Sequence, residues 1–198
     1  MIPQSAPPPR LILASASPRR RDLLREAGYE FEIYPADVDE ESIGRGFAPN
    51  LAAARIALAK SLKVSDIYPT DIVLAADTVV ILNGQMLGKP ADESDARRML
   101  HALAGSEHHV FTAVVITRSQ PNLRVEQSVS SSVRMRALSD TEIDAYVAGG
   151  NWRGKAGGYG IQDADPFITR TAGCATNIVG LPMTTTRQML AEIGVHPK

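Results

Sequence analysis

The stretch Leu11-Ile-Leu-Ala-Ser-Ala-Ser-Pro-Arg-Arg-Arg-Asp-Leu-Leu24 joins an apolar run to a polar turn and then to apolar residues at helical spacing. We interpret it as a strand, a tight turn and a helix. Ser17 suits the N-cap of that helix, and Pro18 suits its first position, where a missing N–H costs nothing. A helix N-terminus presents free N–H groups and the positive end of its dipole, so the turn predicts a phosphate site. An ordinary helix start with solvated arginines is the alternative.

The composition is that of a globular protein, with 198 residues, 44% hydrophobic content and a formal net charge of −1. We expect a disordered Pro-rich tail over residues 1–9 and a single domain over 10–198. Near-neutral charge argues against nucleic acid as a partner, and no apolar run is long enough to cross a membrane. The single cysteine excludes an intrachain disulfide. Without a signal-peptide pattern, we expect a cytoplasmic protein.

Hydrophobic periodicity and turn residues predict an α/β fold in which strands and helices are interleaved. Asn83-Gly84 predicts a hairpin, and Ser139 with Glu142 forms a capping box. Two hairpins favour a mixed sheet flanked by helices over a purely parallel one. The predicted strands are 10–14, 31–34, 72–76, 79–82, 85–87, 110–117, 125–137 and 167–169. The predicted helices are 18–27, 51–62, 92–103, 139–148 and 184–193, and 35–49 is a predicted loop.

Asp77 is unusual because it follows Ile-Val-Leu-Ala-Ala and precedes Thr-Val-Val. A carboxylate in such an apolar run is costly to bury without a cation beside it. We expect Asp77 at a strand end on the rim of the sheet, where it could serve a metal or a phosphate. The alternative is a strand-end aspartate that faces solvent or caps a turn. Glu40, in an acidic predicted loop, could join Asp77 as an oxygen ligand of Mg²⁺.

Two lysines are candidates for phosphate contacts. Lys89 lies in Leu87-Gly-Lys-Pro90, next to a glycine that permits close backbone approach. Lys60 ends the predicted Ala-rich helix, where its alternative role is to complement the helix dipole. No Walker P-loop, zinc-helix histidine spacing or Gly-x-Ser-x-Gly motif occurs in the chain.

The stretch Lys155-Ala-Gly-Gly-Tyr-Gly-Ile-Gln162 is unusually rich in glycine. Such a segment is kept where the chain turns tightly or contacts a ligand, although a flexible loop is the alternative. Gln162 offers both a donor and an acceptor, as recognition of a base edge requires.

Taken together, these segments resemble the Maf family of nucleotide pyrophosphatases over roughly residues 10–193. Each motif alone is weak, and the strength of the resemblance lies in their common order. The matching segments are Leu-Ala-Ser-Ala-Ser-Pro-Arg-Arg-Arg21, Ala36-Asp-Val-Asp-Glu40, Ala57-Leu-Ala-Lys60, Ala75-Ala-Asp-Thr-Val-Val80, Leu87-Gly-Lys-Pro90, His109-Val-Phe-Thr112, Lys155-Ala-Gly-Gly-Tyr-Gly-Ile-Gln162 and Asn177-Ile-Val-Gly-Leu-Pro182.

The resemblance implies an α/β fold like that of inosine triphosphate pyrophosphatases, with a mixed twisted sheet and a central cleft between two lobes. It implies hydrolysis of a nucleoside triphosphate to the monophosphate and pyrophosphate with a divalent cation, Mg²⁺, Mn²⁺ or Co²⁺. Tyr159, Ile161 and Gln162 match the dTTP/UTP type, which implies removal of noncanonical pyrimidine nucleotides as well. A homodimer is common in folds of this kind.

Under this hypothesis each candidate residue has a role. Ser15 and Arg19 bind phosphate, and Lys60 and Lys89 neutralise further phosphate oxygens. Glu40 and Asp77 hold the metal, and Asp77 also orients or deprotonates the attacking water. Thr78 and Gln162 contact the nucleotide, with Gln162 at the base.

Two positions depart from the family pattern near the expected base site. Asn151 stands where the family usually has glutamate, and Asp163 stands where it usually has glycine after Ile-Gln. Other functions stay open at this point: a nucleotide-binding regulator of septum formation, a phosphatase that releases orthophosphate stepwise, or a pyrophosphatase for another base such as 7-methyl-GTP.

Overall fold

The computed structural model describes residues 9–163 and 167–198, so nearly all of the predicted N-terminal tail lies outside the described residues. The strands are β1 (Leu11–Leu13), β2 (Glu32–Ile33), β3 (Ile72–Leu82), β4 (Gln85–Leu87), β5 (Glu107–Arg118), β6 (Leu123–Met135) and β7 (Ile168–Ala172). The helices are α1 (Pro18–Glu26), α2 (Glu40–Gly44), α3 (Pro49–Ile67), α4 (Glu93–Leu103), α5 (Asp140–Ala148), α6 (Ala175–Val179) and α7 (Met183–Glu192). In the described ranges, no helix is long and apolar enough to cross a membrane.

The strands form one mixed sheet in the order β2-β1-β3-β5-β6-β7, and β4 pairs with β3. β1 runs parallel to β2 and β3, whereas the other pairings are antiparallel. The predicted mixed α/β sheet is therefore confirmed. β3 is one continuous strand, so the predicted break between residues 76 and 79 is wrong. Asp77 stays in register with Ala113 of β5, which carries the ladder through the polar pair Asp77-Thr78.

Two helix predictions also need correction. Residues 35–49 were expected to be a loop, but they contain α2, whose N-cap Asp39 accepts a hydrogen bond from the backbone N–H of Ser42 at 3.0 Å. α3 extends to Ile67, so Lys60 lies within the helix and does not end it. The alanines that suggested a short helix continue into buried Ser61, Val64 and Ser65, and burial of this face carries the helix further. α6 follows Cys174 and was not predicted.

Helices cover both faces of the sheet, and the alternation of β3 residues decides which helix each residue meets. Val79 packs with Ala53 and Ala57 of α3 on one face. On the other face, Leu74 joins a cluster with α1 and α7, and Val80 joins a second cluster with α4 and α5. A cleft lies along the central part of β3, and residues from both faces of the sheet line it.

Candidate active site

The cleft lies where the outer edge of β3 has no neighbouring strand. β1 pairs with β3 only as far as Leu74, and β4 pairs with it only from Val80 onward. Because β5 occupies the opposite edge of β3, residues 75–79 are left open to the cleft among the described parts of the chain. The cleft has a volume of about 550 Å³, which is within the size range of small-molecule sites.

Asp77 meets a cation on the face of the sheet covered by α3. It lies on the same face of β3 as Ala75 and Val79, which pack against α3, so its side chain points toward that helix. Lys60 of α3 places Nζ 2.7 Å from Asp77 Oδ1 and 2.8 Å from Glu40 Oε1. Lys60 and Asp77 side chains are only 8% and 10% exposed. The expectation that Asp77 ends a strand is wrong, but the unpaired edge of β3 brings it to the cleft.

The balance between burial and nearby cations shifts the pKa values of the two carboxylates in opposite directions. Burial raises the pKa of Asp77, although Lys60 and Arg20 favour its charged form. Burial also opposes the charged form of Glu40, but Lys60, Lys89 and Arg20 outweigh it and lower the Glu40 pKa. Lys89 Nζ lies 3.7 Å from Glu40 Oε2. Carboxylates separated in this way are suited to different tasks, one as a base and one as a permanent anion.

Arg20 holds the polar groups on the other face of β3 at the same edge. Its Nε donates to the Gly180 carbonyl at 2.8 Å, its Nη1 to Ser15 Oγ at 3.2 Å and its Nη2 to Thr78 Oγ1 at 3.1 Å. Thr78 faces this side because it alternates with Asp77 in β3. One planar guanidinium thus aligns two hydroxyls that line the cleft. Burial lowers the Arg20 pKa, although the nearby Asp77 carboxylate favours its charged form.

Sequence reasoning chose Arg19 and missed Arg20. Both arginines line the cleft, but Arg19 Nη2 donates to the Gly154 carbonyl at 3.0 Å and does not contact the hydroxyl cluster. The three consecutive arginines did indicate that one of them could face the strand edge. Adjacent residues on a helix point about 100° apart, so the three cannot all face it. Which arginine turns toward Thr78 depends on how α1 is rotated against the sheet.

The turn before α1 has the structure that the sequence predicts. Ser17 is the N-cap and Pro18 is the first helical residue. Ser17 Oγ accepts from the Arg20 backbone N–H at 3.5 Å, and Ser15 Oγ accepts from the Ser17 backbone N–H at 3.2 Å. The N-terminus of α1 therefore lines the cleft, although the Ser17 and Arg20 N–H groups already have acceptors and Pro18 has no N–H.

The glycine-rich segment forms the wall opposite α1. Gly157 adopts φ +70°, and its backbone N–H donates to the Gly88 carbonyl at 2.9 Å. A Cβ there would lie 3.1 Å from Val80 Cγ2, so the segment sits against β3 only because this residue is glycine. Tyr159 is held by a 2.5 Å hydrogen bond between its OH and His108 Nε2. Gln162 is exposed in the cleft and makes no side-chain hydrogen bond with the described part of the chain.

The cleft brings together every residue to which the sequence analysis gave a catalytic, metal-binding or substrate-binding role. These residues are Ser15, Arg19, Glu40, Lys60, Asp77, Thr78, Lys89 and Gln162. They come from α1, α2, α3, β3 and three connecting segments, so only the fold makes them neighbours. The arrangement combines a buried carboxylate beside a second one with several cations and an N-terminal helix turn. Such a set can bind a polyphosphate and activate water.

The donor set near Lys60 fits a hard divalent cation that also binds phosphate. Asp77 and Glu40 converge on the same ammonium group, so both carboxylates face one small volume. Within residues 9–163 and 167–198, no cluster of three or more acidic, histidine or cysteine residues forms a complete metal cage. Mg²⁺ commonly takes one or two carboxylates and completes its shell with water and substrate phosphates.

Comparisons with known proteins show the family to which the chain belongs. The family model for Maf-like proteins matches residues 10–193. A dTTP/UTP pyrophosphatase of Cereibacter sphaeroides is 48% identical over 187 residues, covering 93% of this chain and 95% of the relative. One of Anaeromyxobacter dehalogenans is 46% identical over 189 residues, covering 94% and 95%. The Ham1 protein of Staphylococcus aureus aligns over 64% of this chain and 71% of its own, at a TM-score of 0.47 and 14% identity, which is too distant to define the fold. By its family match and these relatives, the chain belongs to the Maf-like protein family.

Proposed function

We propose that this protein hydrolyses dTTP and UTP to the nucleoside monophosphate and pyrophosphate. The observation that carries the proposal is the Asp77–Lys60–Glu40 cluster at the open edge of β3, with Arg20, Ser15 and Thr78 across the same edge. The names of the full-length relatives support this choice of substrates. Removal of noncanonical pyrimidine nucleotides from the cell's pool would follow from the same reaction.

In the proposed reaction, a water oxygen forms a bond to the α-phosphorus while the bond from that phosphorus to the bridging oxygen breaks. Pyrophosphate leaves with the bonding electron pair, and the water gives a proton to the Asp77 carboxylate. A raised pKa prepares Asp77 to hold that proton. Lys60 keeps the carboxylate oriented at 2.7 Å and balances its charge before the proton arrives.

The phosphate chain would lie between the two cationic sides of the cleft. Arg20, Ser15 and the N-terminus of α1 supply donors on one side, and Lys89 supplies a charge on the other. Arg19 lies farther along the wall near Gly154. Such fixed donors lower the barrier by holding the reacting groups in place and by stabilising developing charge.

Asp77 and Glu40 would hold a divalent cation, with Mg²⁺ the first choice and Mn²⁺ or Co²⁺ as substitutes. When bound, such an ion neutralises phosphate charge and lowers the pKa of coordinated water. Glu40 suits a ligand role because its lowered pKa keeps it ionised.

Gln162 and Thr78 would contact the nucleoside. Gln162 is free to use its donor and its acceptor because its side chain has no partner among the described residues. Thr78 Oγ1 is already fixed by Arg20 and lies 2.9 Å from Thr112 Oγ1, so its position does not depend on substrate.

A product-resolved assay tests the proposal. Purified protein with Mg²⁺ is given dTTP, UTP, CTP, GTP, ATP and 7-methyl-GTP, and pyrophosphate and orthophosphate are measured separately. We expect pyrophosphate, with the fastest release from dTTP and UTP. The isosteric variant Asp77→Asn should remain folded and lose at least about 100-fold in turnover.

The competing functions give different products. Orthophosphate as the first product would indicate a stepwise phosphatase. Pyrophosphate mainly from 7-methyl-GTP would keep the reaction and overturn the base assignment. Nucleotide binding without turnover would indicate the regulator.

A further inference from the structure

Asp163 lies behind the wall of the cleft and ties that wall together. Its side chain is 13% exposed and forms an ion pair with Lys155 through Oδ1. Its other oxygen, Oδ2, accepts from the hydroxyl of Tyr146 on α5 and from the backbone N–H of Gly160, the latter at 3.0 Å. One carboxylate therefore joins α5 to both ends of the segment 155–160.

The same contacts fix the residue that precedes Asp163. The Asp163 backbone N–H donates to the Gly160 carbonyl at 3.3 Å, while Gly160 N–H donates back to the Asp163 carboxylate. Residues 160–163 thus form a turn closed by two hydrogen bonds, with Ile161 and Gln162 at its centre. The closure is tight, because a Cβ on Gly160 would lie 2.8 Å from Lys155 Nζ and 3.0 Å from Asp163 Oδ1.

Asp163 also sets the charge of this wall. Lys155 lines the cleft, but its ammonium is paired with Asp163 and its side chain is only 15% exposed. Burial lowers the pKa of Arg19, and the Asp163 carboxylate partly offsets that effect. The wall at Gln162 therefore presents an amide beside a neutralised lysine, which suits an uncharged base better than phosphate.

We propose that Asp163 is a positioning residue for base selection, which holds the turn carrying Gln162 and neutralises Lys155 so that this wall receives the base. This inference rests on the proposed function, because it assigns the base to the wall at Gln162. Asp163 itself is not part of the cleft lining, so it acts through the turn and through Lys155.

The test compares Asp163→Asn and Tyr146→Phe with the wild type. Asparagine removes the charge and keeps the side-chain shape, while phenylalanine removes one donor to Asp163 without changing any charge. We expect the UTP-to-ATP ratio of kcat/KM to fall about tenfold in Asp163→Asn, mainly through a higher KM for UTP. Tyr146→Phe should lower the ratio in the same direction by a smaller factor, and kcat for UTP should stay within a few-fold.

Calorimetric binding of UMP and AMP separates this inference from the proposed function, because it needs no turnover. A wild type that releases no pyrophosphate from UTP would refute the proposed function, whereas the preference for UMP over AMP would still be tested in the same variants. That preference should fall about tenfold in Asp163→Asn.

Asp95→Asn is the matched control. Like Asp163, Asp95 is a partly buried aspartate with a cationic partner and a backbone donor, here Arg98 and Ala91 N–H, but it lies on α4 outside the cleft lining. Its variant should keep the wild-type ratio. Equal losses for UTP and ATP in Asp163→Asn, or an unchanged ratio, would overturn the proposal. If Asp163→Asn does not fold, an unchanged ratio in Tyr146→Phe would overturn it.

Discussion

Lys60 Nζ lies 2.7 Å from Asp77 Oδ1 in the interior of the protein. Removing two ions from water costs several kcal/mol each, and their attraction repays this only when the geometry is good. Glu40 supplies a second carboxylate to the same ammonium at 2.8 Å. Lys60 is thus the counter-ion of two acidic groups. Burying these charges lowers the free energy of unfolding, and their mutual attraction offsets that loss.

Replacing Lys60 should therefore damage the fold more than replacing an exposed lysine of the same helix. Lys60→Met leaves Asp77 buried without its main partner, and we expect a loss of about 3–5 kcal/mol in the free energy of unfolding. Urea denaturation measures this loss. Lys63→Met is the control, since Lys63 is exposed on α3, and it should change stability by less than about 1 kcal/mol.

The double variant Lys60→Met/Asp77→Asn should recover part of the loss, because it removes the uncompensated carboxylate together with its cation. A Lys60→Met protein as stable as the wild type would show that Asp77 is solvated or protonated without cost, and would contradict the buried ion pair.

Arg20 should not tolerate replacement by lysine although the charge is kept. A lysine cannot donate at once to Gly180, Ser15 and Thr78 in the fixed geometry of a guanidinium. We expect Arg20→Lys to lower kcat/KM by about 100-fold, the scale for removing a fixed donor to developing charge. Steady-state kinetics with UTP measures the effect.

Arg21→Lys provides the comparison on the next residue of α1. Arg21 pairs with Asp22 near the surface, with 37% of its side chain exposed, and its variant should retain wild-type kinetics. Similar losses of kcat/KM in both variants would mean that α1 tolerates no lysine at either position. That result would refute a specific role for Arg20.

Most helices and strands could be predicted from the sequence because the local signals agree with the tertiary packing. Ser139 and Glu142 form the predicted capping box, and β4 follows the predicted Asn-Gly hairpin turn. The errors fall where packing decides. β3 continues through Asp77 because β5 pairs with it there, and α3 continues past Lys60 because its next turns are buried.

The contacts within the site were harder to predict than the residues that form it. Motifs marked the arginine cluster, but the choice between Arg19 and Arg20 needs the rotation of α1 against β3. The Asp163 carboxylate contacts Tyr146, Lys155 and Gly160. The sequence spacing does not predict that α5 lies next to the glycine-rich segment, because this is a tertiary contact.

Gln162→Ala should weaken base preference more than it weakens phosphate chemistry. The side chain lies in the cleft without a partner among the described residues, so its removal leaves no buried group unsatisfied and should not destabilise the fold. We expect the UTP-to-ATP ratio of kcat/KM to fall about tenfold while kcat for the poorer substrate is retained. A uniform loss across all nucleotides would count against base recognition.

His108 should make the protein less stable as the pH falls below about 6.5. It is 1% exposed, its Nε2 meets the Tyr159 hydroxyl, and its Nδ1 has no hydrogen-bond partner in the part of the chain that the structure describes. Burial lowers its pKa to about 4, whereas an unfolded chain titrates near 6.5. Between these values the unfolded state binds more protons, so acidification favours unfolding.

The linkage predicts a His108 contribution of roughly 2 kcal/mol of stability lost between pH 7 and pH 5. Urea denaturation at the two pH values measures it. His108→Gln keeps a polar atom near Tyr159 without titrating, and should lose about that much less stability over this interval. His101→Gln, at an exposed site on α4, is the matched control for the substitution itself. A wild-type pH dependence in His108→Gln would mean that His108 is protonated as easily in the folded protein as in the unfolded chain.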